Sequence, residues 1–336
     1  MNYLPQKKTD PDQHHKENFP SFFWPKNMCS DIAKAAKILK KEGLVVFPTE
    51  TVYGIGGLAS SDRAVSAIYK AKGRPAYNPL IVHVDSMEQA ESIATLPQKI
   101  KDLTNIFWPG PLTVVVPLKK GANIAPLACA GLKTVALRFS NHPILLALLK
   151  EVGAPLVGPS ANLSGKLTST TAAHVQKNFP DLLVLDGGAT EKGVESTVVT
   201  YDKGILHILR PGAISVDEIE ENTAIPILLS KETKKIVSPG QTDRHYAPNL
   251  RLRMNAWAPQ KDEAFLAFGR NEHPDTTINL STSGSLEEAA KNLFQFLHVL
   301  DNPFRYSGIA VAPIPEEGLG VTINDRLRRA CKSSFS

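Results

Sequence analysis

Apolar residues recur along positions 30–222 with two spacings, one typical of helices and one typical of strands. The segment "SDIAKAAKILKKEG" at 30–43 puts its apolar residues on one helical face, between a capping serine and a terminal glycine. This pattern predicts an amphipathic helix, and similar patterns predict helices at 62–73 and 143–153. Short apolar runs bounded by turn residues predict strands at 44–47, 80–84, 111–118, 134–139, 155–158, 182–185, 196–201 and 205–210.

These helices and strands follow one another without the regular βαβ order of a doubly wound sheet. We therefore expect an α/β fold of the mixed α+β kind, built around one large twisted mixed sheet.

The chain length of 336 residues suggests two domains. Three prolines and a charged run between 223 and 249 predict a linker, and the order β, α, β, α beyond it predicts a smaller Rossmann-like α/β domain. The predicted division is an N-terminal extension at 1–29, a large domain at 30–222, the linker at 223–249 and the small domain at 250–336.

Composition narrows the class of protein only modestly. The formal net charge of +5 is compatible with an anionic ligand or an RNA partner, although many proteins with neither share it. The three cysteines are far apart and form no zinc or disulfide pattern, which favours a reducing compartment. No apolar run approaches the ~18 residues of a membrane span, and the N-terminus has no apolar signal-peptide core. We expect a cytoplasmic protein with no membrane association.

The run "GIGG" at 54–57 suggests a phosphate-binding turn between a strand and a helix. The dinucleotide fingerprint, however, needs a third glycine that "GIGGLASS" lacks. The segment "GPSANLSGK" at 158–166 resembles a P-loop, but six residues separate its glycines and Leu167 follows the lysine where a Ser or Thr should bind magnesium. The dinucleotide interpretation is therefore poorly supported, and no P-loop is present.

Polar and cationic residues nevertheless concentrate where the predicted strands end. Each has a structural alternative: Lys72 and Arg74 could stabilise a helix C-terminus, His83 could be a core histidine, and Ser160 and Asn162 could cap a turn. Ligands of α/β sheets gather beyond strand ends, so the combination favours a site for a polyanion. Its members are Thr49, Thr51, Tyr53, Lys72, Arg74, Asn78, His83, Arg138, Ser160, Asn162, Ser196, Thr197 and Arg210.

Seven segments occur in the order and approximate spacing of the YrdC-type threonylcarbamoyl-AMP synthases, which this sequence resembles. They are "FPTETVYGIGG", "KAKGRPAYNPLIVHV", "WPGPLTVVV", "TVALRFSNHP", "GPSANLSGK", "GVESTVV" and "LRPG". The resemblance covers residues 30–222 densely, and "SPGQTDRHYAPN" with "IPEEGLGVTINDRLRRA" is similar to the long, two-domain form of the family.

The resemblance implies a YrdC-like sheet with a large basic concave cavity and an ATP-dependent nucleotidyltransferase. The implied substrates are L-threonine, bicarbonate or CO2, and ATP with Mg²⁺, and the products are L-threonylcarbamoyladenylate and pyrophosphate. The labile product would pass to a tRNA threonylcarbamoyl transferase complex that modifies the adenosine next to the anticodon. RNA contact through the basic cavity is a further expectation. Magnesium would be held by phosphates and water, so no protein metal site is expected.

Site residues follow from the resemblance motif by motif. Lys72 and Arg74 are the implied catalytic residues. The implied ATP-binding set is Lys72, Arg74, Asn78, Ser160, Asn162, Thr168 and Arg210. The implied L-threonine-binding set is Thr49, His83, Arg138 and Ser196, and the implied lid residues are Arg244, His245 and Tyr246.

Three positions depart from the family pattern. Ser140 stands where a proline is usual after the arginine of "ALRF", Cys129 replaces a threonine, and Gln241, Thr242 and Asp243 replace Met-Lys-Tyr in the linker.

Two other classes of protein compete with the synthase interpretation. A non-catalytic RNA-binding module would need no threonine pocket. A carbamoyl-transfer hydrogenase-maturation protein would need zinc-finger and acylphosphatase modules, for which this chain lacks the cysteines.

Overall fold

The computed structural model describes residues 27–230, 245–270 and 273–332. Arg244 and the three departures at 241–243 therefore lie outside the described residues, as does nearly all of the predicted N-terminal extension. Within the described ranges no helix combines the length and the apolar character needed to cross a bilayer.

Nine helices are formed by the described residues. They are α1 Met28–Lys40, α2 Asp62–Lys72, α3 Met87–Ile93, α4 Gln98–Phe107, α5 Pro143–Val152, α6 Ala172–Asn178, α7 Val216–Asn222, α8 Leu286–Leu300 and α9 Gly318–Lys332.

Ten strands form one large mixed sheet. They are β1 Val45–Phe47, β2 Gly54–Leu58, β3 Ile81–His83, β4 Leu112–Pro117, β5 Thr134–Arg138, β6 Leu156–Val157, β7 Leu183–Val184, β8 Thr197–Asp202, β9 Ile205–Arg210 and β10 Ile227–Leu229. Their order across the sheet is β10-β9-β8-β4-β5-β3-β6-β2-β1-β7, with both parallel and antiparallel neighbours. The predicted mixed sheet is confirmed.

The alternation of side chains along each strand decides what faces the main core. Val82 of β3 lies in that core, whereas Ile81 and His83 on either side of it point to the opposite face, where they line a cavity. Helices α2, α3, α4 and α6 cover the core face. Helices α1 and α5 pack on a separate apolar cluster with Val45 and Phe47 of β1.

Two expectations about secondary structure are wrong. The glycine run at 54–57 was predicted as a turn, but it belongs to β2, which pairs antiparallel with β1 and places Gly56 opposite Val45. Residues 227–229, inside the predicted linker, form β10 at the edge of the large sheet, parallel to β9. Strand β2 is rich in glycine and lacks a strand-like composition, and β10 is held by its pairing with β9. The local pattern therefore did not reveal either strand.

A second, smaller sheet is entirely parallel. It comprises β11 Arg251–Arg253, β12 Glu263–Ala267, β13 Ile278–Asn279 and β14 Gly308–Val311, in the order β11-β14-β12-β13. Helices α8 and α9 pack on one face of it around Leu266, Phe294 and Ile323. The expected small α/β unit is confirmed, with β11 and β13 added to the two predicted strands.

Candidate active site

The glycines of β2 make room for an aromatic ring. A Cβ added at Gly54, Gly56 or Gly158 would lie 2.8, 2.3 or 2.7 Å from the ring of Phe47. Phe47 itself is fully buried and meets the His83 ring edge-on, with 5.5 Å between centroids. The glycine-rich run therefore lets β2 pass over a core phenylalanine, and Gly54 also lines the cavity.

The turn after β1 forms one wall of the cavity. Thr49 Oγ1 accepts the backbone N–H groups of Thr51 and Val52, each at 3.1 Å, and donates at 2.7 Å to the Val52 carbonyl. Tyr53 Oη donates at 2.7 Å to the Gly188 carbonyl, which anchors the turn to a distant loop. The polar run "PTETVY" is thus a rigid, internally bonded turn whose residues 49, 52 and 53 line the cavity.

Arg74 lines the cavity just beyond the end of α2. Its Nε donates to the Asn78 carbonyl at 3.1 Å, and a terminal nitrogen donates to Asn78 Oδ1 at 2.5 Å and to the Pro79 carbonyl at 2.8 Å. Burial lowers the pKa of the guanidinium to about 10, which still leaves it charged at neutral pH. Asn78 is therefore a support for Arg74, and it does not line the cavity.

Lys72 lies behind the cavity wall. Its Nζ donates to the Ser160 carbonyl at 2.5 Å and to the Asn162 carbonyl, and 3% of the residue is exposed. Burial, reinforced by the charge of Arg74, lowers its pKa well below the usual value. Lys72 therefore ties α2 to the loop at 160–162.

That loop is closed by its own side chains. Ser160 Oγ donates to Asn162 Oδ1 at 2.6 Å, and the Asn162 amide donates to the carbonyls of Leu163 and Lys166 at 2.8 and 2.9 Å. Ser160 lines the cavity, whereas Asn162 shapes the turn and is fully buried.

Arg138 enters the cavity from the end of β5 and pairs with a buried carboxylate. Its terminal nitrogen lies 2.8 Å from Glu50 Oε1, with the two side chains 4% and 2% exposed. Ser140 Oγ donates to the other Glu50 oxygen. Arg138 Nε has no hydrogen-bond partner among the described residues, so a donor remains available in the cavity wall. At the position where the family usually has proline, Ser140 thus helps to hold the partner of Arg138.

His83 is a neutral imidazole in this environment. Burial, together with the nearby charge of Arg138, lowers its pKa to about 3. Nε2 lies 3.3 Å from the Gly158 carbonyl, and Nδ1 has no partner among the residues the structure describes.

Arg210 and Ser196 form a further part of the cavity wall. The Arg210 guanidinium donates to the Ser196 carbonyl at 2.8 Å and to Ser196 Oγ at 3.1 Å, and Ser196 Oγ also lies 2.8 Å from Thr113 Oγ1. Next to them Glu195 accepts from Thr168 Oγ1 at 2.9 Å and from Arg326 Nε at 2.9 Å. Burial alone would raise the pKa of Glu195, but Arg326 and Arg210 outweigh it and bring that pKa to about 2.

The cavity enclosed by these walls has about 510 Å³ of empty volume, including the space open to solvent. Among the described residues that line it are three arginines and one carboxylate, that of Glu195, which pairs with Arg326. A concavity of this kind attracts anions and offers forked donors to phosphate or carboxylate oxygens. The lining residues are Thr49, Val52, Tyr53, Gly54, Arg74, Ile81, His83, Arg138, Gly158, Pro159, Ser160, Glu195, Ser196, Arg210 and His245.

The predicted site residues divide into two groups by position. Those that line the cavity are Thr49, Arg74, His83, Arg138, Ser160, Ser196, Arg210 and His245. Those that lie behind the lining are Lys72, Asn78, Asn162, Thr168 and Tyr246. Cys129, the altered position, is 2% exposed in the main core and does not line the cavity. The binding roles themselves stay predictions.

Sequence reasoning missed two buried acids and one arginine. Glu50 stands inside "PTETVYG" and Glu195 directly precedes Ser196, so an acid within a segment of site residues was the available signal. Arg326 gave no such signal, because it lies in a helix of the small domain and reaches the site only through tertiary packing.

Comparison with known proteins agrees with this geometry. A profile of the Sua5, YciO and YrdC proteins, described as "Telomere recombination", matches residues 37–212. A second profile, described as the threonylcarbamoyl-AMP synthase C-terminal domain, matches residues 214–331.

Individual relatives extend over most of the chain. The threonylcarbamoyl-AMP synthase of Bacillus subtilis (strain 168) is 38% identical over 322 residues, covering 89% of this chain and 92% of that protein. The crystal structure of Pyrococcus abyssi Sua5 complexed with L-threonine superposes with a TM-score of 0.81 at 35% identity, covering 90% of this chain and 94% of that one. A P. abyssi Sua5 variant with a histidine and a tyrosine changed to alanine superposes with a TM-score of 0.79 at 34% identity, over 90% and 93% of the two chains.

The ten-stranded mixed sheet, its cationic cavity and the appended parallel sheet define a two-domain nucleotidyltransferase of the Sua5 type. The chain belongs to the threonylcarbamoyl-AMP synthase family, in its long form.

Proposed function

We propose that this protein makes L-threonylcarbamoyladenylate and pyrophosphate from L-threonine, bicarbonate or CO2, and ATP. The observation that supports this most directly is the cavity, where Arg74, Arg138 and Arg210 converge from three separate segments. Such an arrangement suits two anionic substrates held side by side, because guanidinium groups attract carboxylates and phosphates and can donate to them through nitrogens that are not bonded to the wall.

L-Threonine would bind at the end of the cavity formed by Thr49, His83, Arg138 and Ser196. The free Nε of Arg138 is a donor for the substrate carboxylate. His83 stays neutral because burial lowers its pKa to about 3, so it can hydrogen-bond a substrate group without adding charge. The P. abyssi structure similar to this chain carries L-threonine.

The phosphates of ATP would lie towards Arg74, Ser160 and Arg210. Four residues would act from behind the cavity lining, by holding the loop carbonyls, Arg74 and Glu195 in place. They are Lys72, Asn78, Asn162 and Thr168. Their expected ATP contacts would then require a rearrangement that brings them into the cavity.

The chemistry needs little acid or base assistance. The uncharged threonine amine adds to CO2 and releases a proton to water, giving a carbamate that is already anionic. A carbamate oxygen then attacks the α-phosphorus, a new P–O bond forms, and the bond to the β-phosphate oxygen breaks with release of pyrophosphate. The protein's task is to align two anions and to neutralise charge in the transition state, which positioning and arginine donors accomplish.

Magnesium would enter as part of the ATP substrate. The described residues form no cluster of three or more metal-ligating His, Cys, Asp or Glu side chains. Glu50 and Glu195 are both occupied by arginines. This donor set fits an ion held by phosphates and water, and the protein's own residues would bind the phosphate oxygens that the ion leaves free.

The segment at 245–246 would contribute to closure over the substrates. His245 lines the cavity, its Nδ1 lacks a partner among the described residues, and its ring contacts Tyr246 at 4.0 Å between centroids. Arg244 belongs to the same proposed lid.

We further propose that the labile product passes to a tRNA threonylcarbamoyl transferase complex. Direct RNA contact through the basic cavity belongs to the same proposal. A purely RNA-binding role is less well supported, because the cavity is lined by hydroxyls and a neutral imidazole suited to a small amino acid.

The test is to incubate the purified protein with ATP, Mg²⁺, bicarbonate and labelled L-threonine. We expect pyrophosphate and labelled threonylcarbamoyladenylate, each dependent on all substrates. Serine or valine in place of threonine serves as the matched control. Pyrophosphate release that does not depend on threonine would refute the proposal.

A further inference from the structure

The small domain inserts one charged side chain into the large one. Arg326, on α9, is 1% exposed and is the largest of the fully buried side chains. Its Nε donates to Glu195 Oε2 at 2.9 Å, a terminal nitrogen donates to the Pro211 carbonyl at 2.8 Å, and the other terminal nitrogen pairs with Asp325. A guanidinium so fully enclosed needs all these partners, because an unpaired buried charge is strongly unfavourable.

Both large-domain acceptors adjoin residues that line the cavity. Glu195 lines it and directly precedes Ser196, while Pro211 directly follows Arg210. The chain at 210–213 lies against the chain at 195–197, since a Cβ on Gly212 would come within 2.3 Å of the Ser196 carbonyl carbon. Arg326 therefore bridges two segments that are packed backbone to backbone.

The same helix makes a second contact with this pair of segments. Thr322 Oγ1, one helical turn before Arg326, donates to the Gly212 carbonyl at 2.9 Å. The remaining oxygen of Glu195 accepts from Thr168, so this carboxylate has partners on both sides and serves to hold structure. The guanidinium carbon also lies 5.0 Å from the centroid of the Tyr246 ring, which brings in the residue next to His245.

We infer that Arg326 is a positioning residue for the cavity, through which the small domain sets the placement of Ser196, Arg210 and His245. It touches no proposed substrate position itself and acts through Glu195, Pro211 and Tyr246. The expected effect on catalysis rests on the proposed function. The connection between α9 and the cavity wall rests only on the contacts described above.

The test compares Arg326→Lys and Thr322→Val with Arg328→Lys. Lysine keeps the charge but puts a single nitrogen in place of the planar guanidinium whose separate nitrogens reach Glu195, Pro211 and Asp325, and valine removes only the hydrogen bond to Gly212. Arg328 is the matched control, because it lies on the same helix, its side chain is 49% exposed and it pairs with Glu316 on the surface.

The first readout is substrate affinity. We expect Arg326→Lys to weaken L-threonine binding, measured by titration calorimetry without ATP, by roughly tenfold, and to raise KM more than it lowers kcat. Thr322→Val should have a smaller effect in the same direction, and Arg328→Lys should have none. If Arg326→Lys does not fold, Thr322→Val alone decides. Reduced melting temperature with unchanged threonine affinity would show a purely structural role and overturn the inference.

The second readout needs no activity. The Ala213 amide donates to the Glu195 carbonyl at 2.9 Å and reports on the packing of the two segments. Hydrogen exchange at this amide should accelerate at least tenfold in Arg326→Lys under conditions where amides of α1 and α5 keep their protection. Unchanged exchange at Ala213 would refute the positioning role of Arg326. Accelerated exchange in a protein that makes no product would support that role and would count only against the proposed function.

Discussion

The buried pair between Glu50 and Arg138 offers the sharpest test of how the part of the cavity proposed to bind L-threonine is built. The change is Glu50→Gln, which keeps the shape of the side chain and removes its charge. The pair spans 2.8 Å with both side chains at most 4% exposed, so Arg138 would be left as an uncompensated buried cation. Breaking such a pair costs about 3–5 kcal/mol, and the amide recovers about 1 kcal/mol through hydrogen bonds to its neighbours.

The expected net loss is therefore roughly 2–4 kcal/mol of unfolding free energy, measured by urea denaturation. The matched control is Ser140→Ala, which removes only the hydroxyl that donates to Glu50 and should cost about 1 kcal/mol. The decisive variant is the double change Glu50→Gln with Arg138→Met. Because it removes both charges, it should be more stable than the Glu50→Gln single variant. Additive losses in the double variant would show that the two side chains are not coupled, and the account of this wall would be wrong.

The Lys72→Met variant should lose most of its turnover and should also destabilise the protein by about 1–3 kcal/mol, because two loop carbonyls lose their hydrogen-bond donor. Turnover and urea unfolding, measured together, test this, and full activity would contradict the proposed role of Lys72. The Gly56→Ala variant should lower the free energy of unfolding by about 1–3 kcal/mol, because its Cβ would lie 2.3 Å from the Phe47 ring. Adding Phe47→Leu to the same chain should recover part of this loss in urea denaturation, and no recovery would argue against a steric cause. Stability should fall on acidification below pH 6.5, because burial lowers the pKa of His83 and of His245 from 6.5 to about 3 and the unfolded chain then binds more protons. Each contributes a loss of about 2 kcal/mol between pH 7 and pH 5, and a urea midpoint that is flat over this range would refute the assignment.

Local pattern predicted eight strands of the large domain but only three of the seven helices described there, and α3, α4, α6 and α7 were not predicted. Strands such as β4 and β9 lie within one residue of their predicted bounds, because short apolar runs between turn residues report directly on burial. Helix α1 begins two residues and ends three residues before its predicted bounds of 30–43. Strands β2, β10, β11 and β13 were not predicted. Strand β2 is rich in glycine and the other three have only two or three residues, so pairing with neighbouring strands decides their conformation.

The candidate site shows the same division. The sequence by itself determined which residue types gather at the strand ends, and eight of those predicted residues do line one cavity. Only the tertiary structure decided which of them face the cavity and which hold the wall from behind, as with Lys72, whose ammonium is bonded to two loop carbonyls. It also decided that the glycines of β2 accommodate Phe47, and that Arg326 of the small domain reaches Glu195. The contacts of Lys72 and Arg326 join segments far apart in the chain, and the fit of Phe47 against β2 depends on how the two strands pair, so local periodicity carries no information about either.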